Sequence, residues 1–481
     1  MPFQSLSFLA LFCLTLAACL LAGKKSRRAG KALLGCASAV FYLWSFTPRV
    51  LCGFAVLAAG CCVSWAAARY LISGRSGRGR VLAAAVSWHV FVLLVFKYTG
   101  FFTGGRLSIG WAPLGLSFFT FQQIWFLKEV YTLRFSAQQV QNLSGGDYAL
   151  SVFFFPTVSS GPIMRPDDFF PQLNGEKFLR PDWQDAAAGV YAIAVGMAKK
   201  VLLADSFGAV VNNGYRHLGE LSAPAAWLVI LGYTLQLYFD FSGYCDIAAG
   251  LARLLGIRLP VNFDSPYRAL SVGDFWKRWH ITLTSFLREC VYFPLGGSRR
   301  GSARTYLNIM AIFLISGFWH GAGWTFLLWG GLHGLAQVGE RALGRRRDRL
   351  PVLLRWAATF VFVNIAWVFF RAPTVGAAGK VLRAAVLGGM AKPQKWLLDG
   401  LLLSEVRAVR ALLPALTPWL NILTVTGLFG AGLLAALLPG NTIRRMDTFR
   451  PTFLRAAAVC LLFAWSILSF SGITTFIYSN F

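Results

Sequence analysis

Gly317-Phe318-Trp319-His320-Gly321-Ala322-Gly323-Trp324 sets one ionisable imidazole between glycines and indoles, in the middle of an apolar run from Thr305 to Glu340. Both ends of that run are basic, with Arg299, Arg300 and Arg304 before it and Arg341, Arg345, Arg346 and Arg347 after it. Short loops rich in Arg and Lys stay on the cytoplasmic side of a membrane, so the run has to enter, turn and come back. Roughly 36 residues of helix reach about 54 Å at 1.5 Å per residue. That is too long for one crossing of a ~30 Å hydrocarbon core and slightly short for a full return. The turn therefore falls within the protein, at or near His320. A histidine at membrane depth beside a glycine-broken helix marks a functional site.

The rest of the chain has the composition this hairpin needs. Of 481 residues, 56% are hydrophobic and 15% aromatic, and the mean hydropathy is +0.58. No soluble domain buries so much apolar surface, which points to an all-α polytopic membrane protein. Residues 1–481 read as a single integral membrane domain: N-terminal helices over 5–102, a core over 114–340 and C-terminal helices over 351–471. The formal net charge of +27 sits mostly in short segments between apolar runs. It follows the positive-inside pattern and argues against nucleic acid as a partner. Such a surface favours membrane lipids and anionic, phosphate-bearing substrates.

Several chemistries are excluded by what is missing. The nine cysteines lie mostly within apolar runs, with no Cys-x-x-Cys pair, and read as small hydrophobes. The five histidines (His89, His217, His280, His320 and His333) show no i, i+3 or i, i+4 pair, so no metal site is expected. Neither a Gly-x-Ser-x-Gly elbow nor a phosphate-binding loop is present. What remains is general-base chemistry in an enclosed site, for which an imidazole with an ordinary pKa near 6.5 is suited.

Taken in order, Ser5 to Gly23 is an apolar run followed by Lys24, Lys25, Arg27, Arg28 and Lys31. Charges after rather than before the run describe an uncleaved first helix with its N-terminus outside. Further helices are expected over about Ala32–Phe46, Val50–Ile72 and Val81–Phe102, the last carrying His89 and Lys97. His89 reads as a hydrogen-bonded core residue. Leu114–Tyr131 is apolar but holds Gln122, Gln123, Lys128 and Glu129; Tyr148–Gly161 is too short to span and reads as half-inserted; Asp167–Asp185 reads as a loop. Ala186–Val211 returns to the membrane, interrupted by Lys199-Lys200. After the hairpin, Leu353–Phe370 is a span, Ala372–Thr417 suggests surface-lying helices, and Leu420–Leu438 and Phe453–Phe470 close the bundle.

Three stretches carry further candidates. Asp240 and Asp246, in Tyr238-Phe239-Asp240-Phe241-Ser242-Gly243-Tyr244-Cys245-Asp246, lie on different helical faces unless Gly243 breaks the helix, and read as positioning groups more than as an acid/base pair. Ser271-Val272-Gly273-Asp274 resembles a capping box. It opens an amphipathic helix with Phe275, Trp279, Leu283 and Phe286 on one face, and Lys277, Arg278, Arg288 and Glu289 elsewhere, expected at the cytoplasmic interface or dipping into the protein.

Read together, these residues resemble the membrane-bound O-acyltransferases, in particular the bacterial alginate O-acetyltransferase branch. The resemblance rests on Gly115-Leu116-Ser117-Phe118-Phe119-Thr120-Phe121-Gln122, Phe155-Pro156, Ser160-Gly161-Pro162-Ile163, Lys199-Lys200 and Ala204-Asp205. It continues through Asp240-Phe241-Ser242-Gly243-Tyr244 and Asn262-Phe263-Asp264-Ser265-Pro266-Tyr267, and is strongest at Phe275-Trp276-Lys277-Arg278-Trp279-His280 and Phe318-Trp319-His320-Gly321. It covers nearly the whole chain in order.

The resemblance implies a ring of about 11 transmembrane helices with re-entrant and interfacial helices, and two funnels meeting at a central histidine. His320 matches that residue and His280 the family's second histidine. The implied activity takes an acetyl group from a cytoplasmic thioester, acetyl-CoA as donor substrate with no bound cofactor, across the bacterial inner membrane. It delivers the group for O-acetylation of an exopolysaccharide or cell-wall glycan, with periplasmic SGNH-type partners and both termini periplasmic. Trp319 and Trp324 are candidate tunnel walls, though packing also explains them. Lys277 and Arg278 suit CoA phosphates and equally an interfacial role, and Asn262 belongs to a family motif. Many relatives end in Phe-Ile-Tyr-Phe-x-Phe after proline, whereas here Thr475 precedes Phe476-Ile477-Tyr478-Ser479-Asn480-Phe481, which bears on partner identity if that tail docks a periplasmic partner. A transporter or flippase, or a scaffold of a polysaccharide secretion complex, is the alternative; it suits the intramembrane carboxylates but gives the glycine-flanked histidine no task.

Overall fold

A computed structural model describes residues 3–107, 109–398, 401, 404–438, 440–470 and 476–477. Every regular element among them is helical. In a bilayer each backbone N–H and C=O must be satisfied within its own segment, which a long apolar run achieves only as a helix. Among the described residues six helices are long and apolar enough to cross a membrane, and Phe453–Leu468 is a shorter apolar one. The molecule is a multi-pass membrane protein.

The first four helices are α1 (Leu6–Lys25), α2 (Arg27–Leu43), α3 (Pro48–Leu71) and α4 (Arg78–Phe102). Ser26 alone separates α1 from α2, so the basic cluster occupies two helix ends rather than a loop. At the start of α3, Thr47 accepts from Val50 N–H and Pro48 takes the first helical position, where its missing donor costs nothing. Next come α5 (Leu116–Tyr131), α6 (Ala137–Asn142) and α7 (Gly145–Phe153), then α8 (Pro166–Asn174). The stretch expected as a loop thus begins with a helix. Pro166 opens it and Asp167 and Asp168 stand in its first turn, where negative charge complements the helix dipole.

A 34-residue apolar rod follows: α9 (Trp183–Ala198), one π-helical turn over Lys199–Ala204 and α10 (Asp205–Arg216). It packs along α11 (Ala223–Leu254), the most buried helix among the described residues. Gly243 does not break α11 but lets it approach α9. A Cβ on Gly243 would lie 2.8 Å from the Gly196 carbonyl oxygen, and one on Gly250 would lie 2.5 Å from that of Gly189. Two glycine pairs, seven residues apart on each helix, set the backbones in contact, as small residues do between membrane helices.

The expected amphipathic helix is two short ones, α12 (Val272–Arg278) and α13 (Ile281–Leu287), followed by a π-helical turn over Arg288–Tyr292. Trp279 is extended and His280 left-handed between them. Of the two placements expected, the pair takes the one inside the protein, since Phe275, Trp276, Trp279, Leu283 and Phe286 are all buried. Ser271 caps Asp274 N–H, but the Asp274 carboxylate returns to Leu270 N–H instead of completing a capping box.

The hairpin is formed by α14 (Gly301–His320) and α15 (Trp324–Leu343), with the turn at Gly321–Gly323. The chain closes with α16 (Val352–Arg371), α17 (Val375–Leu387), α18 (Lys395–Leu398), α19 (Ser404–Leu412), α20 (Thr417–Leu437), α21 (Thr442–Thr448) and α22 (Phe453–Leu468). In the tail, Thr475 and Tyr478–Phe481 lie outside the described residues. The Phe476 ring packs 5.0 Å from that of Tyr244.

Candidate active site

His320 is the last residue of α14, with 2% of its surface exposed. Its ring stands edge-on to Trp319, Phe370 and Trp329 at centroid distances of 4.6, 5.0 and 5.1 Å. Close helix packing places it there. A Cβ on Gly317 would come within 2.3 Å of the Phe326 carbonyl oxygen, and one on Gly330 within 2.3 Å of that of Phe313. At the turn, a Cβ on Gly321 would meet the Phe326 ring at 2.1 Å. The glycines of the quoted stretch let α15 fold back flat against α14, enclosing the imidazole.

The end of α14 is held from outside the hairpin. A helix C-terminus leaves carbonyls without intrahelical partners, and cations favour that pole. Lys97 Nζ donates to the Trp319 carbonyl and Tyr98 Oη to the Phe318 carbonyl, both from α4. Lys97 also lies 5.5 Å from the centre of the Trp319 ring and 3.5 Å from Ser117 Oγ. Lys97 and Tyr98 are absent from the site that the sequence suggests. A lone lysine inside an apolar helix is their visible mark, but it does not say which carbonyl it meets.

His280 is fully buried, and its φ of +45° is a region few non-glycine residues occupy. The conformation is held by backbone pairing, Asp264 N–H to Arg278 O at 2.9 Å and Ile281 N–H to Asn262 O at 3.0 Å. Strain maintained in this way points to a functional constraint. Asn262 Oδ1 accepts from Thr282 N–H at 3.2 Å and Thr282 Oγ1 at 3.0 Å, and faces His280 Nδ1 at 3.2 Å. An oxygen there requires Nδ1 to carry the proton, which leaves Nε2 as the basic nitrogen. The Trp319 ring makes ring contacts with both histidines, its centroid 6.4 Å from that of His280 and 4.6 Å from that of His320. Asn262→Ala is expected to leave two Thr282 donors and Nδ1–H unmet, at about 1–3 kcal/mol per buried donor. A lower thermal midpoint in detergent, with slower turnover, is the measurement; an unchanged midpoint refutes it.

The other candidates separate from this centre. Trp324 is 68% exposed and its ring lies 6.1 Å from Phe101, so it walls no tunnel at His320. Asp240 pairs with Lys200 at 2.7 Å and accepts from Ile477 N–H at 2.7 Å, and Asp246 pairs with Lys199 at 2.6 Å. The π-helical turn beside Gly243 supplies both lysines, so the carboxylates serve the packing of α11. Arg278 is engaged by Asp274 at 2.9 Å and by the Asp264 carbonyl, while Lys277 is exposed. His333 accepts from Trp276 Nε1–H at 3.1 Å, and His89 shares a hydrogen bond of 2.7 Å with Ser64. His89 is a hydrogen-bonded core histidine, while His333 is a buried core histidine paired at Nδ1, its Nε2 meeting no hydrogen-bond partner among the described residues. A cleft of about 210 Å³ opens between α13 and the hairpin, lined by Trp276, Phe313, Ser316, Arg288 and Arg341 among others.

The profile of MBOAT, the membrane-bound O-acyltransferase family, matches residues 6–375. The chain is 40% identical to the peptidoglycan O-acetyltransferase of Helicobacter pylori over 332 residues, which are 62% of this chain and 63% of that protein. It is 36% identical to the probable alginate O-acetylase of Pseudomonas aeruginosa over 403 residues, 80% of this chain and 74% of that one. The teichoic acid D-alanyltransferase of Streptococcus thermophilus is 27% identical over 253 residues, 49% of this chain and 59% of that one.

Proposed function

The chain belongs to the membrane-bound O-acyltransferase family, and on that premise we propose that it moves an acetyl group from acetyl-CoA on the cytoplasmic side to a hydroxyl bound for an exopolysaccharide or cell-wall glycan. The observation that carries the reading is the buried pair His280 and His320 about Trp319, one fixed by Asn262 and the other by the grip of α4 on α14. In the proposed reaction the His320 imidazole takes the proton of the acceptor hydroxyl as its oxygen attacks the thioester carbonyl. The C–S bond breaks, and the imidazolium returns the proton to the CoA thiolate. General-base help of this kind is worth ~10²–10⁴-fold, and positioning of donor and acceptor supplies the rest. His280, with Nε2 basic, orients or relays beside it.

The cleft with Arg288 and Arg341 at its rim and Ser316, one turn before His320, on its wall is the route proposed for the donor. Its guanidinium groups match CoA phosphates better than Arg278, which is already engaged. A bundle of about 11 spans in the bacterial inner membrane, with periplasmic termini and a periplasmic SGNH-type partner receiving the acetyl group, completes the proposal. Inside-out membrane vesicles given radiolabelled acetyl-CoA should form acetyl esters on the acceptor, and right-side-out vesicles should not. Equal labelling in both orientations, or none in either, overturns this direction of transfer.

A further inference from the structure

A second, larger cleft lies away from the histidines. It measures about 950 Å³ and opens between α2, α3 and α7, sharing no lining residue with the cleft beside the hairpin. Its rim is basic, formed by Arg27, Arg28 and Lys31 in the first turns of α2. Lys31 is spent on Asp147 at 2.7 Å and Asn174 at 3.0 Å, and Arg27 donates to the Asn174 carbonyl at 2.6 Å. Arg28 stands exposed on the rim and makes no ion pair among the described residues.

Below the rim the walls are apolar. Ala32, Gly35, Cys36 and Ala39 recur at helical spacing down α2, and Leu150, Phe153 and Phe54 face them. A Cβ built on Gly35 meets nothing within 4 Å, so this wall borders open space. From Arg27 to Ala39 the cleft follows 12 helical steps, about 18 Å at 1.5 Å per residue, close to the ~15 Å depth of one leaflet of a ~30 Å hydrocarbon core. A cationic mouth above an apolar shaft one leaflet deep matches a phosphate headgroup carrying an acyl chain. A water-soluble nucleotide has no use for the shaft.

We propose that this cleft binds an anionic glycerophospholipid of the cytoplasmic leaflet, its phosphate at Arg28 and Arg27 and an acyl chain along Gly35, Ala39 and Phe153. The basic rim lies on the side the positive-inside rule assigns to the cytoplasm, where anionic headgroups attract basic side chains. The bound lipid would brace α2 against α7, whose own tie at the rim is the Lys31–Asp147 pair.

The purified full-length protein in detergent, titrated with phosphatidylglycerol, tests this by lipid retention in native mass spectrometry and by thermal midpoint. Phosphatidylglycerol should be retained and should stabilise at lower concentration than phosphatidylcholine. Arg28→Gln should raise its half-saturating concentration about fivefold, the effect of one surface arginine on an anionic headgroup. Gly35→Phe, which fills the shaft without touching the rim charge, should abolish retention. Retention equal to wild type in both variants overturns the proposal. So does full stabilisation by glycerol 3-phosphate or CoA, because the occupant is then a soluble phosphate. None of these readings depends on acyl transfer, so they stand or fall apart from the catalytic assignment.

Discussion

His320→Ala should lose acetyl transfer by at least ~10²-fold, and up to ~10⁴-fold if the imidazole is the sole base, while the protein still accumulates in the membrane. Loss of the ring leaves a void among Trp319, Trp329 and Phe370. A stability cost of about 2–4 kcal/mol is expected by analogy with large-to-small core changes. His320→Gln, which keeps volume and hydrogen-bonding capacity but cannot act as a base at neutral pH, separates the two effects. Acetyl esters on the polymer should vanish in both variants, and polymer export should continue. Acetylation at the wild-type level in His320→Gln removes His320 from the chemistry. Export lost together with acetylation favours the transporter reading instead.

The second large effect concerns the hairpin itself. Gly317→Ala gains about 0.8–1 kcal/mol in helix propensity. It also drives a methyl group to within 2.3 Å of a backbone oxygen on the facing helix. Overpacking costs typically about 1–3 kcal/mol, and backbone yields less readily than a side chain. The net result should be a lowered thermal midpoint and a larger fall in turnover than stability alone explains, because α14 ends on His320. Gly317→Leu should not accumulate. Gly331→Ala on the same hairpin, where a Cβ meets nothing within 4 Å, should be neutral or stabilising. If Gly317→Ala and Gly331→Ala behave alike, close approach of α14 and α15 is not what sets the imidazole.

That hairpin is legible in the amino-acid sequence, because charge at both ends and a length between one and two crossings leave a chain few options. The α9–α11 seam is partly legible through its lysines and aspartates, which demand partners at membrane depth. The surroundings of His280 are not. Phe275, Trp279, Leu283 and Phe286 imitate one helix face, yet backbone pairing with residues 262–264 turns the chain at His280. Periodicity records which side chains are buried, and here two short helices bury them as a single one would. Trp324 misleads for a related reason. Adjacent to a turn, its indole points out toward Phe101 rather than in toward the histidine. Lys97 and Tyr98 announce themselves as polar groups in an apolar helix, while their acceptors lie 222 and 220 residues further along.

That separation has a consequence for how the enzyme is made. The carbonyl that Lys97 grasps belongs to a residue 222 positions downstream. At about 5–20 residues per second, a ribosome needs roughly 10–45 s to bridge that interval. Throughout it the first helices sit in the bilayer while the carbonyl that Lys97 meets is still to be made, and His320, the next residue after that carbonyl, is not yet in place. The proposed base and the lysine that holds the end of its helix therefore come together only once the second half has inserted.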